Sequence, residues 1–80
     1  MFHTIYSIET LDNYSLKLTF DNMEVRIFDL TPYLDKGIFQ KLKDKNLFKT
    51  AKISFDTVAW GEEIDIDPET LYEDSRPITK

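Results

Sequence analysis

Eighty residues, 41% hydrophobic and 14% aromatic, are enough for one folded domain over 1–80 and too apolar for a disordered acidic tail. The absence of cysteine excludes disulfides, thiolate metal sites and cysteine nucleophiles, and a net charge of −5 disfavours a general grip on phosphate backbones. The apolar runs fall far short of the ~20 residues of a membrane helix and no basic stretch precedes an apolar one at the N-terminus, so the expected setting is the cytoplasm, with no membrane contact.

The first element in chain order is a strand, in which Phe2, Thr4, Tyr6 and Ile8 share one parity against His3, Ser7 and Glu9. Leu11-Asp12-Asn13 then supplies a hairpin loop that sets Ile8 opposite Leu16 and Tyr6 opposite Leu18. The alternation Tyr14, Leu16, Leu18, Phe20 against Ser15, Lys17 and Thr19 marks the second strand. A two-residue turn at Asn22-Met23 pairs Phe20 with Val25 and Leu18 with Ile27, although Met23 would need a positive φ that glycine adopts more easily.

Pro32 ends the third strand, because it has no N–H and pushes Thr31 away from helical angles; Pro32 to Leu34 makes a short turn. Gly37 to Phe48 reads as a small helix or two turns, with Phe39, Leu42 and Ile38 inward and Lys41 and Lys45 outward. Ala51, Ile53, Phe55 and then Val58, Trp60 restart the alternation as a second hairpin around Asp56-Thr57. Asp67-Pro68-Glu69 opens a final helix as N-cap, first helical residue and acid at the positive end of the dipole, docked by Leu71 and Tyr72. The last six residues are expected to fray. The fold class is therefore α+β: a small two-layer domain in which an antiparallel sheet of about five short strands carries one or two short helices on one face.

Charge is strongly segregated. Residues 36–55 contain six lysines against Asp44 alone, whereas residues 56–74 contain eight carboxylates and no base. The run FDNMEVRIFDLTPYL, then GIFQKLKDKNLFK, then VAWGEEIDIDPETLYEDS, resembles the bacterial family known as domain of unknown function 2442 over nearly the whole chain. The most specific part is Trp60, Ile64-Asp65, Pro68 and Leu71-Tyr72 at matched spacing; relatives usually carry glycine where Met23 and Glu63 stand here. The resemblance implies a small α+β domain like the N-terminal half of a two-domain protein that adds a helix-turn-helix. It also implies a role in gene pairs suspected of being toxin–antitoxin modules, and it assigns no catalytic residue.

The residues themselves offer little catalysis. His3 is the only histidine, so a triad would need it with Ser7, Ser15, Ser54 or Ser75, and no nucleophile motif accompanies it. Asp65, Asp67 and Glu69 have the odd-position rhythm of a calcium loop, but Thr70 stands where glycine is needed and Arg76 where a bidentate acid is needed. Glu62 and Glu63 diverge in an extended chain, and two glycines, Gly37 and Gly61, cannot write a phosphate-binding loop. No enzyme activity, metal or cofactor is expected.

Two readings remain. A protein-binding module would meet a small basic partner through Glu62, Glu63 and Asp65, with Trp60 and Tyr72 as aromatic anchors if exposed. The alternative is a nucleic-acid-associated regulator using Lys41, Lys45 and Lys49 within the Lys36 to Lys52 segment. Opposite-sign segments and open sheet edges also make a homodimer an option.

Overall fold

A computed structural model describes residues 4–78, so the expectations for Phe2 and His3 lie outside the described residues. Three strands open the chain: β1 (Ile5–Thr10), β2 (Ser15–Phe20) and β3 (Val25–Asp29). Two 3-10 segments follow, Thr31–Tyr33 and Gly37–Lys43, then α1 (Lys45–Phe48). The second half contributes β4 (Lys52–Ser54), β5 (Thr57–Trp60), β6 (Ile64–Asp65), α2 (Pro68–Glu73) and β7 (Arg76–Pro77). The α+β class is the one the sequence implies, but the strands divide into a four-stranded sheet, β1-β2-β3-β7, and a three-stranded one, β4-β5-β6.

Both hairpins of the larger sheet close by one solution. Asp12-Asn13-Tyr14 is bracketed by a hydrogen bond from the Leu11 N–H to the Ser15 carbonyl, and Asp21-Asn22-Met23 by one from Phe20 to Glu24, each 2.9 Å. The third loop residue is left-handed in both cases, Tyr14 at φ 58° and Met23 at φ 70°, as a three-residue hairpin requires. In the first hairpin this moves the pairing two residues from the expected register, to Ile8 with Leu18 and Thr10 with Leu16, which leaves the inward row of β2 unchanged. A bulge between Ile5 and Ser7 breaks the expected parity of β1, so that Ile5 and Ile8 turn inward while Tyr6 is 71% exposed.

The second hairpin is displaced by one residue, and the consequence is larger. Leu16 lies opposite Phe28 and Leu18 opposite Arg26, so the expected Leu18–Ile27 pair does not form. A one-residue change of register exchanges the faces of a strand. Phe28 is fully buried in place of Ile27, and Glu24 and Arg26 join the inward row at the open end of the sheet.

One continuous apolar cluster joins the sheets. It takes Ile5, Leu16, Leu18, Phe20 and Phe28 from the larger and Val58, Trp60 and Ile64 from the smaller. Leu30, Leu42, Phe48, Ile66 and Leu71 fill in from the connections and helices. The 3-10 stretch buries Leu42 and half-buries Phe39, as its spacing implies, but leaves Ile38 exposed. Asp67 caps α2 by accepting the Glu69 and Thr70 N–H groups at 3.2 Å, with Pro68 in the first turn. Arg76 and Pro77 do not fray. They pair with Ile27 and Arg26 as β7, and the Ile78 N–H donates to the Val25 carbonyl at 3.0 Å.

Candidate functional site

Strand β5 is buried along its length, and its pleat divides the burial between two faces. Val58 and Trp60 join the apolar core, which leaves Ala59 on the other side, opposite Lys52 on β4 and Asp65 on β6. Above Ala59 lies a shallow trough of about 580 Å³. The β4–β5 turn, Phe55-Asp56, closes one end of β5, and the loop Gly61-Glu62-Glu63 closes the other; both reach the trough. Gly61 enters its loop at φ 62°, a value that suits glycine. Pro68 at the start of α2 completes the wall beside Asp65.

The trough is acidic. Asp56, Glu62, Glu63 and Asp65 line it, with Lys52 as the one cation among its lining residues. Glu63 reaches out to Lys41, 2.8 Å away, and this ammonium holds its carboxyl below the usual range by hydrogen bonding and by charge. Among the described residues no cation pairs with Asp56, Glu62 or Asp65. The Lys41–Glu63 contact also shows that the basic and acidic segments meet on the surface.

The aromatic anchors proposed from sequence are placed elsewhere. Trp60 is 1% exposed; its indole N–H donates to the Phe48 carbonyl at 2.9 Å and its ring stacks on Phe48 at 6.3 Å. It supports the trough from within and has no face for a partner. Tyr72 belongs to a separate polar lock, where its hydroxyl donates to Glu24 Oε1 at 2.6 Å and Arg26 covers its ring. In the same lock Arg26 Nε donates to Ser75 Oγ at 2.6 Å and Nη2 to the Ser75 carbonyl at 2.7 Å. Ser75 Oγ itself donates to the Tyr72 carbonyl, so this serine serves the fold. Glu62, Glu63 and Asp65 do come together, as lining of one trough.

Of the basic candidates, Lys41 is held by Glu63, Lys45 lies 6.0 Å from the ring centre of Tyr14, and Lys49 is exposed at the end of α1. They do not converge on a stacking platform, since Phe48 is buried beneath them and Phe39 packs on Tyr33. Asp67, offered as part of a cation rhythm, is engaged as a helix cap.

One residue of the site escapes the sequence reading. Phe55, assigned to the alternation of a strand, occupies the turn, at φ 55° and 96% exposed. The pairing of Ser54 with Thr57 puts it there, and its only sequence signal is that a two-residue turn between Ile53 and Val58 must use Phe55-Asp56.

No helix among the described residues is long and apolar enough to cross a membrane. No curated protein and no solved structure matches the chain. The family model described as protein of unknown function (DUF2442) matches residues 5–77, which take in both sheets, both helices and the whole trough. The chain therefore belongs to the DUF2442 family.

Proposed function

We propose that this chain is a non-catalytic cytoplasmic module that binds a small basic protein along the trough, in the antitoxin-like position of a two-protein pair. The observation that carries this reading is the trough itself: Asp56, Glu62 and Asp65, which form no ion pair among the described residues, gathered with Lys52 as the one cation of the lining around Ala59 on the outer side of a buried strand. Charge of one sign around a concave surface raises the encounter rate with a partner of the other sign and rejects like-charged competitors. The non-catalytic reading is supported by Ser75, the best-connected serine among the described residues, which is 5% exposed and spent on structure.

The test is capture of the product of the neighbouring gene by the wild-type chain and by the triple reversal Glu62→Lys, Glu63→Lys, Asp65→Lys. Loss of a stoichiometric complex in the reversed variant, with unchanged circular dichroism, is the expected result. Capture that survives the reversal overturns the acidic-face reading. A salt-sensitive titration with duplex or single-stranded nucleic acid, lost on reversing Lys41, Lys45 and Lys49, would replace it with the nucleic-acid reading.

A further inference from the structure

Phe55 is the residue whose choice is hardest to explain by folding. The residue is 96% exposed and is not part of the core. Its backbone, at φ 55°, lies in the left-handed region, where glycine, asparagine or aspartate sits with less strain than an aromatic residue. Local rules broken with no compensation inside the fold are expected where the chain contacts something else.

Its surroundings say what that contact is made of. Phe55 lies at one end of the trough beside Asp56, with Asp65 along the side and Glu62 at the far end. The four residues of β5 span about 13 Å at roughly 3.3 Å each, so an extended segment of four or five residues reaches from Asp56 to Glu62. Alternate side chains of such a segment fall on opposite sides. The apolar side would face the Phe55 ring and the Ala59 floor, while the long side chains of the alternate cations would bend back along the rims to reach the two acidic turns.

We propose that Phe55 is the apolar anchor of the trough, and that the segment it takes is an extended basic one in which lysine or arginine alternates with a large apolar residue. This rests on the reading of the trough as a protein-binding face and specifies the partner's chemistry. The carboxylates attract the segment and set its register, while the exposed ring supplies the desolvated contact that slows its release.

Two synthetic peptides, Lys-Leu-Lys-Leu-Lys and penta-lysine, titrated calorimetrically into the wild-type chain, Phe55→Gly and Glu62→Lys/Asp65→Lys, test it. The wild type is expected to bind the alternating peptide about tenfold more tightly than penta-lysine, and Phe55→Gly to lose that advantage. Phe55→Gly is also expected to melt higher by about 4 °C, because the turn is relieved of strain. A lower melting temperature in Phe55→Gly, or an unchanged preference for the alternating peptide, overturns the anchor. Equal binding of both peptides, abolished by Glu62→Lys/Asp65→Lys, overturns the anchor and leaves the acidic face standing. Failure of the wild type to bind either peptide removes both.

Discussion

Arg26 lies over the ring of Tyr72, its guanidinium carbon 4.2 Å from the ring centre, while both side chains grip the same carboxylate, Glu24. The three groups tie β3 to α2, and Ser75 extends the tie to the start of β7. The Arg26 side chain is only 11% exposed and its guanidinium makes its bonds as a planar fork, so a lysine at the same place keeps the charge and loses the geometry. Arg26→Leu should lower stability, because it removes the bonds to Ser75 together with the cation beside Glu24, and Arg26→Lys should recover less than half. Urea unfolding curves check this, with m expected to stay constant.

Acid should loosen the same lock. The Tyr72 hydroxyl first, and then Arg26, hold the Glu24 carboxyl below its ordinary value. A carboxylate depressed in the folded state stabilises it above the unfolded pKa, and that contribution is lost as pH falls through the folded value. Stability should therefore be level near neutrality and decline below about pH 4.5. Glu24→Gln should flatten part of that decline, as read from urea midpoints against pH.

At the alkaline end the sign reverses. Tyr33 donates its hydroxyl to Asp74, and this bond, with burial second, pushes its pKa up to about 12. A raised folded pKa gives stability that is complete below about pH 10, the unfolded value, and lost as pH rises toward 12. Tyrosinate absorbance near 295 nm should show late-ionising groups, of which Tyr33→Phe removes one, since the bond to Glu24 raises Tyr72 as well; the variant's stability should fall less steeply above about pH 10.

Trp60 is the sole tryptophan, so fluorescence reports on the core beneath the trough without ambiguity. Its emission should be blue-shifted and poorly quenched by iodide in the native state, and should move to the red on unfolding. Trp60→Phe deletes the hydrogen bond to the Phe48 carbonyl, which keeps its bond from the Ala51 N–H at 3.3 Å, so the lost bond itself should cost about 0.5 to 1.5 kcal/mol.

Met23 offers a gain. At φ 70° and 71% exposed it is held in a conformation that suits glycine and has little packing to lose. Met23→Gly should stabilise by about 0.5 to 1 kcal/mol, visible as a higher urea midpoint.

The elements legible in the sequence were those with a local cause. The alternation of β2 and the Asp67 cap each depend on a few neighbouring residues, and each stands in the structure, whereas Pro32 does not keep Thr31 from helical angles: β3 ends at Asp29 and Thr31 opens a 3-10 turn that contains the proline. Where loop length decided the outcome, the residues gave too little. Asp21-Asn22 accommodates two- or three-residue loops, and the longer one turned β3 over, placing Arg26 where Ile27 was expected and hiding the polar lock with Tyr72. Strand β7 was illegible because two residues carry no period, and its partner β3 lies far back in the sequence. Phe55 was missed for a related reason: its exposure follows from the pairing of Ser54 with Thr57, while its side chain looks like one more core residue.

The two Asp-Asn loops join strands that are neighbours in sequence, whereas Arg26 meets Ser75 across 49 residues. Local hairpins close in microseconds, while a long-range pairing must await the chain between its ends. The β1-β2-β3 meander is thus suited to form early, and the clasp of Tyr72, Ser75 and β7 upon it to form late. Damage to the clasp should consequently appear as faster unfolding with a nearly unchanged folding rate, so that this lock governs how long the native molecule survives more than how quickly it is made.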